Sequence, residues 1–246
     1  MKTFKLLSMM MLIAIIASFS SCKKKGCMDP NSFTFNPEAK KDDGSCTSPE
    51  AIKKSLIFKK TATWCPYCGD WGVSYSTDIT NAHANCQVIA LHGDSEFENT
   101  VGNNLMDALP SSGWPHFFAG TQDISNSYYE LNSAVNAELG KSIEVAMAIE
   151  KTTAGSTMNV RVQSQWLGSI DGEFYLAVYV LEDGQVAEQQ IAGASSDPNF
   201  VHKNVLRAEA YNSPLGVPVT INGDGNLLEF NIDLNSSWVA SNCYPV

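Results

Sequence analysis

Positive charge is scarce in this chain of 246 residues, in which 16 Lys and Arg stand against 26 Asp and Glu for a formal net charge of −10. There is no basic stripe to neutralise phosphates, which argues against nucleic acid as a partner. No HxxxH pair and no second CxxC accompany the one CxxC present, so the second ligand pair that a structural zinc site needs is missing. The N-terminal apolar run, Leu6 to Phe19, covers only 14 residues, too few to cross a bilayer. Acid is also missing from one particular place, since none lies between Ser55 and Cys65. Modest charge with a full complement of aromatics suits packed domains rather than disorder, and the length is comfortable for two of them.

What is present is organised around Thr61-Ala-Thr-Trp64-Cys65-Pro66-Tyr67-Cys68-Gly69-Asp70-Trp71. The stretch follows an apolar, strand-like run, Ser55 to Phe58, and precedes a segment that reads as a helix over Asp70 to Ala84, weakened by Gly72. The thiolate is the reactive form of cysteine, and free N–H groups with the positive end of a helix dipole stabilise it. The i, i+3 spacing returns the second sulfur to the first within one turn, close enough for a short disulfide. Pro66 suits the first helical turn, where its missing N–H costs nothing. Cys65 therefore reads as an exposed nucleophile and Cys68 as the resolving thiol beneath it.

The motif resembles that of the thioredoxin-like proteins, and residues 50–140 carry a matching pattern. Gln87 to Leu91 is a short apolar run of the kind a central parallel strand needs, Ser95 to Leu109 reads as a helix, His116 to Gly120 as a strand and Asn126 to Leu139 as an amphipathic helix. The order implies a mainly parallel sheet with right-handed crossovers. The resemblance implies a cis proline beside the CxxC, with Pro115 preferred over Pro110 because a strand follows it at once. It also implies that Trp64, Pro66, Tyr67 and Trp114 position a partner chain. Where thioredoxins carry a buried acid before the motif, this chain has Lys59, followed by Lys60. His92 and His116 each approach the same end of the sheet, and either could complete a Cys2His site with Cys65 and Cys68; the alternative is that both serve the strands that carry them. No metal or other cofactor is called for.

The first residues read as an export signal, with Lys2 and Lys5 ahead of the apolar run. Phe19-Ser20-Ser21-Cys22 resembles a bacterial lipobox, with Phe19 in place of the usual aliphatic residue, and implies that residues 1–21 are removed and Cys22 is lipidated. Residues 22–49 read as a tether. Turn formers crowd between Cys27 and Cys46, and a bridge between those two would stabilise the loop by roughly 3 kcal/mol. Asp29, Asp42 and Asp43 are hard oxygen donors, but their spacing is not that of an EF-hand, and a disulfide-clamped spacer is the preferred reading.

Residues 141–246 alternate with period two through Ser142–Glu150, Thr157–Ser164, Glu173–Leu181 and Asn226–Leu234, separated by turn signals. The pattern predicts an immunoglobulin-like β-sandwich following the α/β domain. His202 reads as a structural strand or turn residue. The Trp-Cys-Pro-Tyr-Cys motif, Gly113-Trp114-Pro115, Val178 to Asp183 and Val201 to Arg207 together resemble the Omp28-related outer membrane proteins over residues 50–240. That resemblance implies an exported lipoprotein, on the periplasmic or cell-surface side, with its last strand missing or supplied from elsewhere. With the other cysteines assigned, Cys86 and Cys243 remain, as a core residue and a partner or as a bridge.

Two functions fit. One is an exported thiol–disulfide oxidoreductase, acting on a disulfide-containing or dithiol protein and held to the membrane through Cys22. The other is a surface binding or adhesion lipoprotein that uses the fold as a scaffold. The intact CxxC favours the first, and the missing acid and the attached β-rich region favour the second.

Overall fold

Residues 23–93, 96–124, 127–168, 172–221 and 223–246 are described by a computed structural model. The export signal expected over residues 1–21 and the lipidation expected at Cys22 lie outside them. One compact unit ends at Thr47 and a second begins at Ser48.

The first unit is a small knot with little regular structure. Its frame is a Cys27–Cys46 disulfide with Cα atoms 4.7 Å apart, joined by single bridges between Lys25 and Lys41 and between Cys27 and Phe35. Ser32 is fully buried and its hydroxyl group bonds to Thr34 and Thr47. Asp29, Asp42 and Asp43 each turn one carboxylate oxygen back onto a backbone N–H two residues ahead, which is why these residues make turns. Bonds from Ser45 hold the Asp43 carboxyl below its ordinary range.

In the second unit, β1 (Ser55–Thr61) and β2 (Cys86–His92) run parallel. Between them lie a short helix, α1 (Pro66–Gly69), and the longer α2 (Trp71–Ala82). The helix expected over 70–84 is α2, and the separate turn α1 ahead of it ends at Asp70, whose φ of −97° and ψ of −104° are not helical. α3 (Thr100–Ala108) begins later than expected, because the Asn99 side chain caps it by accepting from Gly102 N–H. β3 (His116–Ala119), β4 (Gln122–Ile124) and α4 (Tyr128–Leu139) follow. β3 pairs antiparallel with β1, and β4 with β3, so the sheet is mixed rather than mainly parallel.

The C-terminal half departs further from expectation. Its strands are β5 (Val145–Ala154), β6 (Thr157–Trp166), β7 (Phe174–Leu176), β8 (Tyr179–Glu182) and β9 (Gln185–Gln189). They continue as β10 (Asp197–His202), β11 (Val205–Glu209), β12 (Val217–Val219), β13 (Gly225–Asp233) and β14 (Cys243–Pro245). Rather than closing a separate sandwich after residue 140, β8, β11 and β14 extend the first sheet, in the order β14-β8-β11-β2-β1-β3-β4. The others form the sheet β13-β6-β5 and the pairs β10-β9 and β12-β7. Period-two alternation marks a strand but not its neighbour, and for that reason the pattern after residue 140 does not reveal which sheet each strand joins. The better signal is β8, where all four residues are buried, as a strand covered on both faces must be.

One face of the long sheet presents Phe58, Ile89, Leu91, Phe118, Tyr179, Leu181 and Leu206 to Leu105 and Leu109 at the end of α3. The opposite face packs Ile57, Val88 and Phe117 against Ile79 of α2 and Leu131 and Val135 of α4. Farther along, Val178 and Val180 meet Met158, Val160 and Val162 of β6 and Ile232 of β13. A small sheet therefore covers the part of the long sheet that α2 and α4 do not reach.

β8 also carries Glu182, whose side chain is 0% exposed. Its carboxylate accepts from Arg207 Nε at 2.8 Å and from Val239 N–H at 2.6 Å. Arg207 is shared with Gln185 and stacked over Phe97. Replacing Glu182 with Ala strands a buried guanidinium and is expected to cost about 3–5 kcal/mol, lowering the thermal midpoint by roughly 10 °C. Glu182→Gln, which keeps an acceptor for Val239 N–H, is expected to lose less in the same melting measurement.

Candidate active site

The site lies where β1 ends and the helical segment begins. Cys65 N–H returns to Ala62 O at 3.3 Å, turning the chain out of the sheet. Cys65 then caps α1 with its sulfur, which accepts from Cys68 N–H at 3.1 Å, and Pro66 opens the helix where no N–H is needed. Cys65 and Cys68 form a disulfide with Cα atoms 5.2 Å apart. They pack with Ala62 beneath Trp114.

Pro115 follows Trp114 through a cis peptide bond and immediately precedes β3. It presses on α2 at Gly72, where an added Cβ would come within 2.8 Å of the proline ring, so glycine there is what admits Pro115 to the site. Pro110 lies in the exposed loop after α3. Trp64 stands edge-on to Trp114 with ring centroids 6.0 Å apart, and Lys60 Nζ lies 5.4 Å from the Trp114 ring. Trp64 is 43% exposed and Tyr67 57%, and Pro66 is exposed beside them. The structure therefore gathers Trp64, Cys65, Pro66, Tyr67, Cys68, Trp114 and Pro115 around one disulfide.

Cys65 itself is only 3% exposed, against the expectation of an open nucleophile. Beyond the packing of Ala62 and Trp114, the loop of Cys65 is bound by sequence-distant residues that the motif gave no reason to suspect. Gln189, at the end of β9, donates its amide to the carbonyls of Ala62, Thr63 and Cys65, while Gln190 N–H bonds to Thr63 O and Ala192 N–H to Pro66 O. A signal for Gln189 existed, because β9 buries Ala187 and then Gln189, a polar side chain on the inward phase of a strand.

Lys59 is buried on β1 beside Ala90 of β2, and loss of hydration pushes its ammonium down to about 8. His92 and His202 share this interior, with ring centroids 5.5 Å apart and Phe97 in contact with both. His92 Nδ1 and His202 Nε2 have no hydrogen-bond partner among the described residues. Burial first, then the charges of His202 and Lys59, hold His92 well below its ordinary value, and burial pushes His202 down to about 4. His202 is thus the strand residue that ends β10, and it belongs to a buried polar cluster.

His116 bonds to Asp123 at 2.6 Å, and no group of three or more His, Cys, Asp or Glu among the described residues is placed to hold a metal. The Cys2His alternative does not form. Cys86 and Cys243 are both free, and burial pushes each thiol up to about 11. Neither is a thiolate at neutral pH, and the bridge between them is not made.

The structure of HBP35 of Porphyromonas gingivalis superposes with a TM-score of 0.68 at 13% identity, covering 80% of this chain and 69% of that one. The fold is thioredoxin-like. A structural-genomics protein of Agrobacterium tumefaciens gives a TM-score of 0.45 at 13% identity over 76% of this chain and 80% of that one, too distant to add to the comparison. Neither a protein-family model nor a curated protein matches the sequence.

The buried cations make stability depend on pH in two windows. His202 has a folded value of about 4 and an ordinary value near 6.5. The unfolded chain binds more protons in between, so this contribution is present above ~6.5 and lost as pH falls through about 4. Urea unfolding is expected to show a loss on the order of 2 kcal/mol from pH 7 to pH 4.5, reduced in His202→Phe. For Lys59, folded at about 8 against an ordinary ~10.4, the buried ammonium destabilises the fold below its folded value, and the penalty lifts as pH rises above it. Lys59→Met is therefore expected to gain stability at pH 7, with the gain shrinking toward pH 10 in the same assay.

Proposed function

We propose that this protein is an exported thiol–disulfide oxidoreductase acting through Cys65 and Cys68. The observation that carries the reading is the Cys68 N–H lying 3.1 Å from the Cys65 sulfur at a helix start, which favours the thiolate. The exposed Trp64 and Tyr67 supply an apolar landing surface beside it. In the reduced protein, the Cys65 thiolate attacks one sulfur of a partner disulfide, forming a mixed disulfide and releasing the partner's other sulfur as a thiolate. The Cys68 thiolate then attacks the Cys65 sulfur, re-forming Cys65–Cys68 and releasing the second partner thiol. Two electrons pass to the partner, which also takes up two protons, and the reverse sequence oxidises a dithiol.

The residue pattern ahead of Cys22 and the resemblance to Omp28-related proteins support membrane attachment through a lipid at Cys22. They support a partner met outside the cytoplasm, where disulfides persist. A binding or adhesion role is the second reading, favoured by the near-complete cover over Cys65.

A Cys68→Ser variant is expected to trap mixed disulfides with an unfolded disulfide protein, and Cys65→Ser to trap none, as read on non-reducing gels. A reduction potential between about −120 and −270 mV would accord with exchange, whereas one below about −300 mV with an inert Cys65 would favour the binding role.

A further inference from the structure

Gln189 lies 124 positions along the chain from Cys65, yet its side chain is the polar centre of the loop that carries it. Its Nε2 lies 3.3, 3.1, 3.0 and 2.9 Å from the carbonyl oxygens of Ala62, Thr63, Cys65 and Gln190. With four acceptors around one end of the amide, the NH2 group must be the end that faces them. The Cys65 carbonyl also receives Cys68 N–H at 3.1 Å and Gly69 N–H at 3.4 Å, and the Cys68 N–H lies 3.1 Å from the Cys65 sulfur as well. One donor is thus divided between an oxygen and a sulfur. A thiolate at Cys65 gains to the extent that the N–H turns toward it. Each further donor on the carbonyl weakens the oxygen's claim, and Gln189 is the one that comes from outside the helical turn.

We propose that Gln189 is a positioning residue for Cys65: by donating to the Cys65 carbonyl, it releases the Cys68 N–H to the sulfur. The proposal rests on the reading of Cys65 as the attacking thiol. The neighbouring chain holds Gln189 in place, with Gln190 N–H 2.9 Å from Thr63 O and Ala192 N–H 3.0 Å from Pro66 O. Gly69 makes room for it, since a Cβ there would lie 2.3 Å from Gln190 O. Because β9 is paired with β10, the reactivity of the thiol is tied to a hairpin of the C-terminal half.

The test uses the full chain carrying Cys68→Ala, which keeps the backbone N–H and leaves Cys65 as a single thiol. The rate of iodoacetamide alkylation at Cys65 is followed against pH by peptide mass spectrometry, which separates it from Cys86 and Cys243. The parent profile is expected to have its midpoint below the ordinary thiol value of about 8.5. Gln189→Met, similar in volume but without donors, is expected to raise the midpoint by about one unit, a roughly tenfold loss of rate at pH 7. Gln189→Asn, whose shorter amide cannot reach the carbonyl, is expected to move it in the same direction and decides the matter if the Met variant does not fold. An unchanged midpoint in a folded variant, or failure of both variants to fold, assigns Gln189 a structural role only and overturns the proposal. A parent midpoint at the ordinary value overturns the reading of Cys65 as well, so the two failures are told apart.

Discussion

The pairing of β11 with β2 is the junction on which the second unit depends. Val205 stands opposite Ala90, and the Ala90 N–H bonds to Asn204 O at 2.9 Å. Asn204 reaches this place in the left-handed region, at φ 55°, a conformation asparagine tolerates better than most residues. Its N–H is taken by Asp183 and its side chain by Tyr244. Once β11 is seated, β8 and β14 can follow, and the apolar face begun by Ile89 and Leu91 is continued by Leu181 and Leu206. Without them β2 would be an edge strand with a bare hydrophobic face beside it.

The same junction builds the surroundings of the thiols. The end of β10, ahead of the turn into β11, carries His202 to His92, near the Lys59 that stands where a carboxylate would be expected. Three cationic or potentially cationic groups thus share one interior, and their mutual repulsion and lost hydration keep the histidines neutral. β9, continuous with this region, ends in the glutamine that binds the loop of Cys65. The fold therefore joins the chemistry of the N-terminal half to the packing of the C-terminal half.

Local features were legible where local chemistry decided them. The Trp-Cys-Pro-Tyr-Cys motif placed a disulfide at a strand-to-helix junction, and the strand following Gly113-Trp114-Pro115 distinguished Pro115 from Pro110. Gly72 weakens the helical pattern, yet its lack of a side chain is what lets Pro115 approach. The break at Asp70 and the late start of α3 went unread, because each depends on one residue's backbone angles or one cap.

By itself the sequence determined the longer strands and helices, the cysteine pair and its helix-start setting, since these rest on periodicity, turn chemistry and spacing along a short stretch of chain. Only the tertiary structure decided that β8, β11 and β14 complete the first sheet, that Lys59 lies near two histidines, and that Gln189 binds the Cys65 carbonyl. Those contacts join residues 30 to over 120 positions apart. Alternation shows that a strand has an inner face but carries no information about which distant strand will cover it.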